Sequence, residues 1–257
     1  MLIYKYIKGL IGNTGFVGSN LLNQSKFDLL FNSSNINEID EKEFDLLVIA
    51  APSAVKWKAN QEPEQDLQMI NDLINHLKKV KAKQVIQIST IDIYKNPKNV
   101  DENTKIETEG LHPYGKNRFY LEEFIRKQFE NHLVVRLPAL FGEGLKKNFI
   151  YDMLNNNCLE LTHKDSIFQF YNLDNLWKDI NIALKNNISL LNITTEPVSA
   201  KEIAREVFQI KFNNITEKPP ANYDVKSINH DLWNSTNGYL YNKFQVFNDL
   251  KSFTKKY

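Results

Sequence analysis

Tyr114 and Arg118 stand four residues apart in a stretch with helical periodicity, so both side chains fall on one face. A phenol with a pKa of about 10 is a poor base at neutral pH, and bringing it near 7 takes roughly 4 kcal/mol of preferential stabilisation of the phenolate. A cation about 4 Å away, at an effective dielectric near 20, supplies roughly that much. Arg118 carries such a charge. Thr90 lies just past an apolar run ending at Ser89, at the carboxyl edge of the expected sheet, where ligands of open α/β folds bind. The chemistry these residues suggest is proton transfer by a tyrosine. On spacing alone they equally describe a tyrosine packed at a helix start beside a surface arginine.

A second constellation runs from Ile7 to Leu22. Apolar residues (Ile7, Leu10, Ile11) lead into Gly12, Asn13, Thr14, Gly15, Phe16, Val17 and Gly18, and then into the apolar start of a helix. A tight turn from strand to helix needs a residue free to take positive φ, and a phosphate approaches the backbone closely only where no Cβ intervenes. Gly12 and Gly15 answer those needs, and Gly18 lets the helix pack on its strand. The unpaired N–H groups and dipole of the first helical turn favour an anion such as a pyrophosphate. An ordinary glycine-rich turn would use the same residues, and the strand and helix around it favour a dinucleotide.

The elements that must position these groups follow from periodicity. Strands are expected at 27–31, 44–51, 84–89 and 132–137, the second a nearly continuous apolar run of the kind buried on both faces of a parallel sheet. Helices are expected from Pro63 to about Val80 and from Tyr114 to Phe129, the latter with Pro113 at its start. After the second strand stand Asn32, Ser33, Ser34 and Asn35, with neither the acid that binds a ribose diol nor the arginine that favours a 2′-phosphate. NAD and NADP both remain open. Ala50, Ala51, Pro52 and Ser53 end the third strand with small side chains that leave room for a flat cofactor. Residues 92–112 read as a long loop, functional or loosely ordered. Beyond Pro138 the pattern shifts to a helix at 149–154, a strand at 167–171, a helix at 173–184 and a strand at 190–194. Ser199–Glu202 then has the form of a capping box for a helix reaching Phe208.

The alternation predicts an α/β protein: a Rossmann-type doubly wound parallel sheet with a small C-terminal substrate-binding cap. The dinucleotide domain is expected over 1–145, also receiving strand and helix segments near 165–195, and the cap over most of 146–257. No Gly/Ser linker or internal repeat interrupts the chain.

Composition narrows the function. The 257 residues hold 32 basic and 31 acidic side chains, a net charge of +1 that supports neither nucleic acid nor an anionic membrane as partner. The single cysteine, Cys158, excludes an internal disulfide and reads as a free structural thiol in a reducing compartment, hence the cytoplasm. The apolar start is too short for a signal peptide or a span. The five histidines are scattered without ligand spacing, so no metal is expected. Lys56, Trp57 and Lys58 read as a solvated face. The C-terminal aromatics (Tyr239, Tyr241, Phe244, Phe247) read as packing of the cap.

Taken together, GNTGFVG (Gly12 to Gly18), STIDIY (Ser89 to Tyr94), YGKNR (Tyr114 to Arg118), RLPALFG (Arg136 to Gly142) and NITTEPVS (Asn192 to Ser199) resemble the extended short-chain dehydrogenase/reductase superfamily. That group includes NAD-dependent epimerases and dehydratases and dTDP-4-dehydrorhamnose reductase. The likeness extends from about residue 5 to 210. It implies NAD or NADP as cofactor and a nucleotide-activated sugar as substrate, in the synthesis of surface polysaccharide or glycan precursors. By position, Tyr114 becomes the general acid/base and Thr90 the hydroxyl on the reacting sugar oxygen. Arg118 stands where a lysine would bind the nicotinamide ribose and depress the tyrosine pKa. Asn35 and Ile36 would lie under the adenine, while Asn148, with Lys146 and Lys147 beside it, would meet the sugar-nucleotide diphosphate. The resemblance further implies a homodimer through the helices at 63–80 and 114–129. Three departures stand out: Arg118 for lysine, no acid after the second strand, and Asp66 near a position commonly asparagine. They raise an alternative, a dinucleotide-binding regulatory protein of the same fold without turnover.

Overall fold

The structure, a computed structural model, describes residues 6–256; the apolar start of the chain falls largely on residues 1–5, outside them. In chain order come β1 (Lys8–Ile11), α1 (Phe16–Gln24), β2 (Leu29–Phe31), β3 (Glu43–Ile49), α2 (Lys56–Gln61), α3 (Pro63–Leu77), β4 (Lys81–Thr90), β5 (Lys98–Val100), α4 (Pro113–Gln128) and β6 (His132–Leu137). They are followed by β7 (Ala139–Phe141), α5 (Phe149–Asn155), β8 (Ile167–Phe168), β9 (Phe170–Asn172), α6 (Leu176–Lys185), β10 (Leu190–Asn192), β11 (Val198–Ser199), α7 (Ala200–Glu206), β12 (Asp224–Val225) and α8 (Lys243–Thr254). Two units result. The first comprises residues 1–95, 106–136 and 176–191, the second 96–105, 137–175 and 192–257.

The first unit is built on a six-stranded sheet of order β2-β1-β3-β4-β6-β10. β1 lies parallel between β2 and β3, with Ile11 level with Phe31 on one side and Ile49 on the other, and β4 continues parallel to β3. Strand order reverses at β1 and β3, so a crevice opens beyond their carboxyl ends, where Gly12 and Ala50 follow. Residues 44–49 of β3 are all buried, which explains a run that is apolar apart from Asp45. On α3 the stripe Ile70, Leu73, Ile74 and Leu77 is buried, Pro63 occupies the first turn, and Glu64 and Asp66 suit its positive end. The buried face of α4 carries Tyr114, Arg118, Leu121, Glu122 and Ile125.

Glu122, wholly buried, fixes α4 to the sheet. Its carboxylate accepts hydrogen bonds from Ser89 Oγ at the end of β4 and from Arg136 Nε and Nη2 on β6, the last at 2.7 Å. Arg136 Nη1 donates to the Tyr94 hydroxyl at 2.9 Å.

The second unit contains three two-stranded pairings: β7 with β9 and β5 with β12 are parallel, β8 with β11 antiparallel. The strand expected at 167–171 is therefore two strands, interrupted at Gln169. Buried Gln169 donates from Nε2 to Thr195 O and Val225 O and accepts from Val225 N. The Ser199–Glu202 capping box is present on α7, and Asn242 with Gln245 forms another on α8.

The single boundary expected near 145 is not how the chain divides. β7 pairs with β9, so the second unit begins directly after Arg136; of the span near 165–195 expected to join the sheet, residues 176–191, with α6 and β10, belong to the first unit. The loop expected at 92–112 holds β5, and the stretch read as a solvated face at Lys56 opens α2. Among the described residues no helix is long and apolar enough to cross a membrane, and no group of three or more His, Cys, Asp or Glu is placed to hold a metal ion.

Candidate active site

The glycine turn takes the form its residues require. Gly12 has φ +88°, and a Cβ there would run into Ala50 O; a Cβ on Gly18 would run into Gly12 O. Gly12 N donates to Phe31 O, binding the turn to the end of β2, and Gly15 N donates to Gly12 O, closing the turn on itself. Gly15 is the N-cap of α1, with no side-chain cap and no acid in the first turn. Backbone N–H groups are thus left for a ligand, with Thr14 exposed beside them. Asn13, Phe16 and Val17 are half-buried around the turn.

Beyond β2, Asn32 is held by its neighbours: its N donates to Asn35 Oδ1, its Oδ1 accepts from Ser34, and its Nδ2 donates to Asn13 Oδ1 at 3.4 Å. Ser33 is exposed. Asn35 also donates to Leu30 O, and Ile36 packs against the core, so both of the residues expected beneath an adenine are engaged in shaping the loop. After β3, Ala50, Ala51 and Pro52 are half-buried, with a cis peptide between Ala51 and Pro52.

Tyr114 sits in the first turn of α4, 5% exposed. Its N–H donates to Asn60 Oδ1 at 2.9 Å, which ties the helix start to α2. A hydrogen bond joins its phenol to the Thr90 hydroxyl, and Thr90 also accepts from Asp92 N. Arg118 lies over the ring of Tyr114, its guanidinium carbon 4.5 Å from the ring centroid. The three residues singled out for proton transfer therefore meet.

Their electrostatics differ from the expectation. Burial pushes the Tyr114 pKa up to about 12; Arg118 and the Thr90 hydrogen bond pull it down, while Asp92 and Asp66 push it further up. Arg118 acts in the expected sense, and burial outweighs it. Arg118 is also not free to act as a bare cation. Its Nη1 and Nη2 donate to Asp66 Oδ2 and Oδ1 at 2.8 and 2.9 Å, and Nη2 donates to Ser53 O at 2.7 Å.

Three further groups, not assigned a role from sequence, surround the phenol. His112 stacks on Tyr114 with ring centroids 6.2 Å apart, and its Nδ1 accepts from Gly115 N as the cap of α4. That bond leaves the proton on Nε2, and burial, followed by the Lys56 charge, lowers its pKa against the opposing pull of Asp92. Lys56 Nζ pairs with Asp92 Oδ1 at 2.8 Å. A histidine directly before Pro113 was the one sequence signal available for this cluster; the Lys56–Asp92 pair had none.

In the second unit, Asn148 has φ +105° and caps α5, accepting from Ile150 N and Tyr151 N while donating to Leu140 O. The amide expected on a diphosphate makes these three bonds to the backbone. Lys146 and Lys147 are exposed.

This fold, a parallel sheet with a glycine turn after the first strand, is of the extended short-chain dehydrogenase/reductase type. Residues 10–163 match the family described as the RmlD substrate binding domain, and the chain belongs to that family. No curated protein sequence matches. Among solved structures, the chain is similar to a dTDP-4-dehydrorhamnose reductase of Clostridium acetobutylicum (18% identity, TM-score 0.75, 97% of this chain and 99% of that one). It is also similar to the dTDP-4-dehydrorhamnose reductase of Bacillus anthracis in complex with NADP (16% identity, TM-score 0.78, 100% of both chains). UDP-glucuronic acid 4-epimerase of Bacillus cereus in complex with NAD is a further match (16% identity, TM-score 0.71, 97% of this chain and 99% of that one). At these identities the likeness is one of fold.

Proposed function

We propose that this protein is an NAD- or NADP-dependent reductase or epimerase of a nucleotide-activated sugar. The observation that carries the proposal is the buried Tyr114 phenol, hydrogen-bonded to Thr90 at the carboxyl end of β4 and stacked on Arg118, in the same unit as the uncapped glycine turn. The turn fits a dinucleotide: Gly12 takes the positive φ that brings the turn close against Ala50, and the start of α1, which no side chain caps, offers N–H groups to a pyrophosphate. Gly12, Thr14 and Gly15 would hold that group, with Asn32 and Ser33 near its ribose and Ala50, Ala51 and Pro52 along its flat ring. When bound, the nicotinamide supplies or accepts hydride at a sugar carbon. Tyr114 moves the proton on the adjoining oxygen, Thr90 orients that oxygen, and Arg118 holds the phenol ring in place. The neighbours that are nucleotide-sugar reductases and epimerases, two of them holding NADP or NAD, support this reading. A cytoplasmic location belongs to the same reading.

Tyr114→Phe tests it. Removing the proton donor lowers kcat by about 10²-fold or more with the nucleotide sugar that the wild type accepts, measured as nicotinamide absorbance. The thermal shift given by NAD(H) or NADP(H) persists in the variant. Unchanged turnover would remove Tyr114 from the mechanism, and a cofactor bound but never reduced or oxidised by the wild type would support the regulatory alternative.

A further inference from the structure

Each charge around Tyr114 meets its opposite. Arg118, on the same helix, gives two parallel hydrogen bonds to Asp66 on α3, and the pair is almost wholly buried, with side chains 5% and 3% exposed. Asn117 Nδ2 donates to the same carboxylate at 2.9 Å, so Asp66 collects donors from two successive residues of α4. Beyond β4, Asp92 acts on the phenol through its charge and is paired with Lys56 from α2. His112, ahead of α4, stacks on the ring with its Nδ1 committed to the helix cap. Thr90 supplies the only neutral hydroxyl named among these neighbours. Arg118 and Lys56 are thus paired with Asp66 and Asp92, and the formal charges of these four groups sum to zero.

We infer that Asp66 is a positioning residue that neutralises Arg118 and clamps it against the Tyr114 ring, so that Tyr114 enters the reaction as a proton donor and the site is arranged for carbonyl reduction. A planar guanidinium locked by two bonds to a carboxylate stays in one place over the ring, which a single-point cation would not. The Ser53 carbonyl adds a third anchor, from the segment that follows β3. In the reduction, the Tyr114 proton passes to the carbonyl oxygen as hydride reaches the carbonyl carbon from a reduced nicotinamide. The sugar is reduced, the dinucleotide is oxidised, and the phenolate recovers a proton from solvent. The direction rests on the function proposed above; the role of Asp66 toward Tyr114 does not.

The test reads Tyr114 directly, as the ultraviolet phenolate titration of the protein minus that of Tyr114→Phe. In the wild type, Tyr114 is expected to stay protonated to at least about pH 10; ionisation near pH 8 or below would overturn the inference. In Asp66→Asn, with its own Tyr114→Phe control, the ionisation moves down by about one unit or more, since a negative charge is removed and Arg118 is left uncompensated. No movement would overturn the role of Asp66. The double variant Asp66→Asn/Arg118→Gln removes both charges, keeps similar shapes, and serves if the single variant does not fold. Its Tyr114 titration stays within about half a unit of wild type, and a rise of more than about one unit would show that Arg118 acts unneutralised and overturn the inference. In the holoenzyme, the limb of kcat governed by Tyr114 moves with the titration in Asp66→Asn while KM for the sugar holds. A wild type that turns over no nucleotide sugar sinks the functional reading, and the titrations still decide on Asp66.

Discussion

The burial that shields Tyr114 from water also raises the cost of its ionisation, and that cost is measurable as stability. Its folded pKa of about 12 lies above the unfolded value near 10. The protonated phenol therefore contributes stability that is complete below pH 10 and is lost as pH rises through 12. Wild-type protein is expected to lose roughly 2–3 kcal/mol more than Tyr114→Phe between those limits, read from urea unfolding at each pH. At this scale the sequence was informative where a residue's role is local. Gly12 takes the positive φ and Gly18 the close packing that their spacing implied. It was uninformative where a side chain is claimed by a distant partner. Asp66 lies 52 positions from Arg118, and nothing in either neighbourhood announces their pairing. Asn148 shows the converse, a residue whose motif position suggested a ligand and whose amide closes its own helix start.

Among the elements, α4 depends on a buried charge pair. Removing Glu122 leaves Arg136 ionised and enclosed, with Ser89 also deprived of its acceptor. Glu122→Ala is accordingly expected to lose about 3–5 kcal/mol of unfolding free energy, measured by urea denaturation, because an unpaired buried charge costs far more than an ion pair contributes. Periodicity found the long elements well: β6 matches the expected 132–137, and α4 differs from its expected span by one residue at each end. Their apolar stripes are wide enough to be read from one chain. The short strands of the second unit were not legible, since runs of two or three residues are created by pairing with remote segments, as β5 is by β12. Gln169 interrupts a sequence that otherwise reads as one apolar strand, and its reason lies in carbonyls at Thr195 and Val225.

For the whole molecule, α3 and α4 leave Leu67, Met69 and Tyr120 exposed at 36%, 44% and 43%, and Leu67 and Tyr120 share a groove with Phe119. Burial of these side chains against a second copy is the proposed homodimer. Sedimentation is expected to give a dimer for the wild type and a monomer for Leu67→Asp/Tyr120→Asp, and a wild-type monomer would refute it. The fold class was legible because strand, helix and strand alternate up to residue 137; the true division was not, because it depends on which strands find each other late in the chain. The backbone passes between the two units after residues 95, 105, 136, 175 and 191. During synthesis the sheet stays incomplete until β10 has left the ribosome, about three quarters of the way along, so the nascent dinucleotide half must wait with an unpaired border. A gene fragment ending near 145 would encode that waiting state permanently, and neither half can be transplanted as a contiguous cassette.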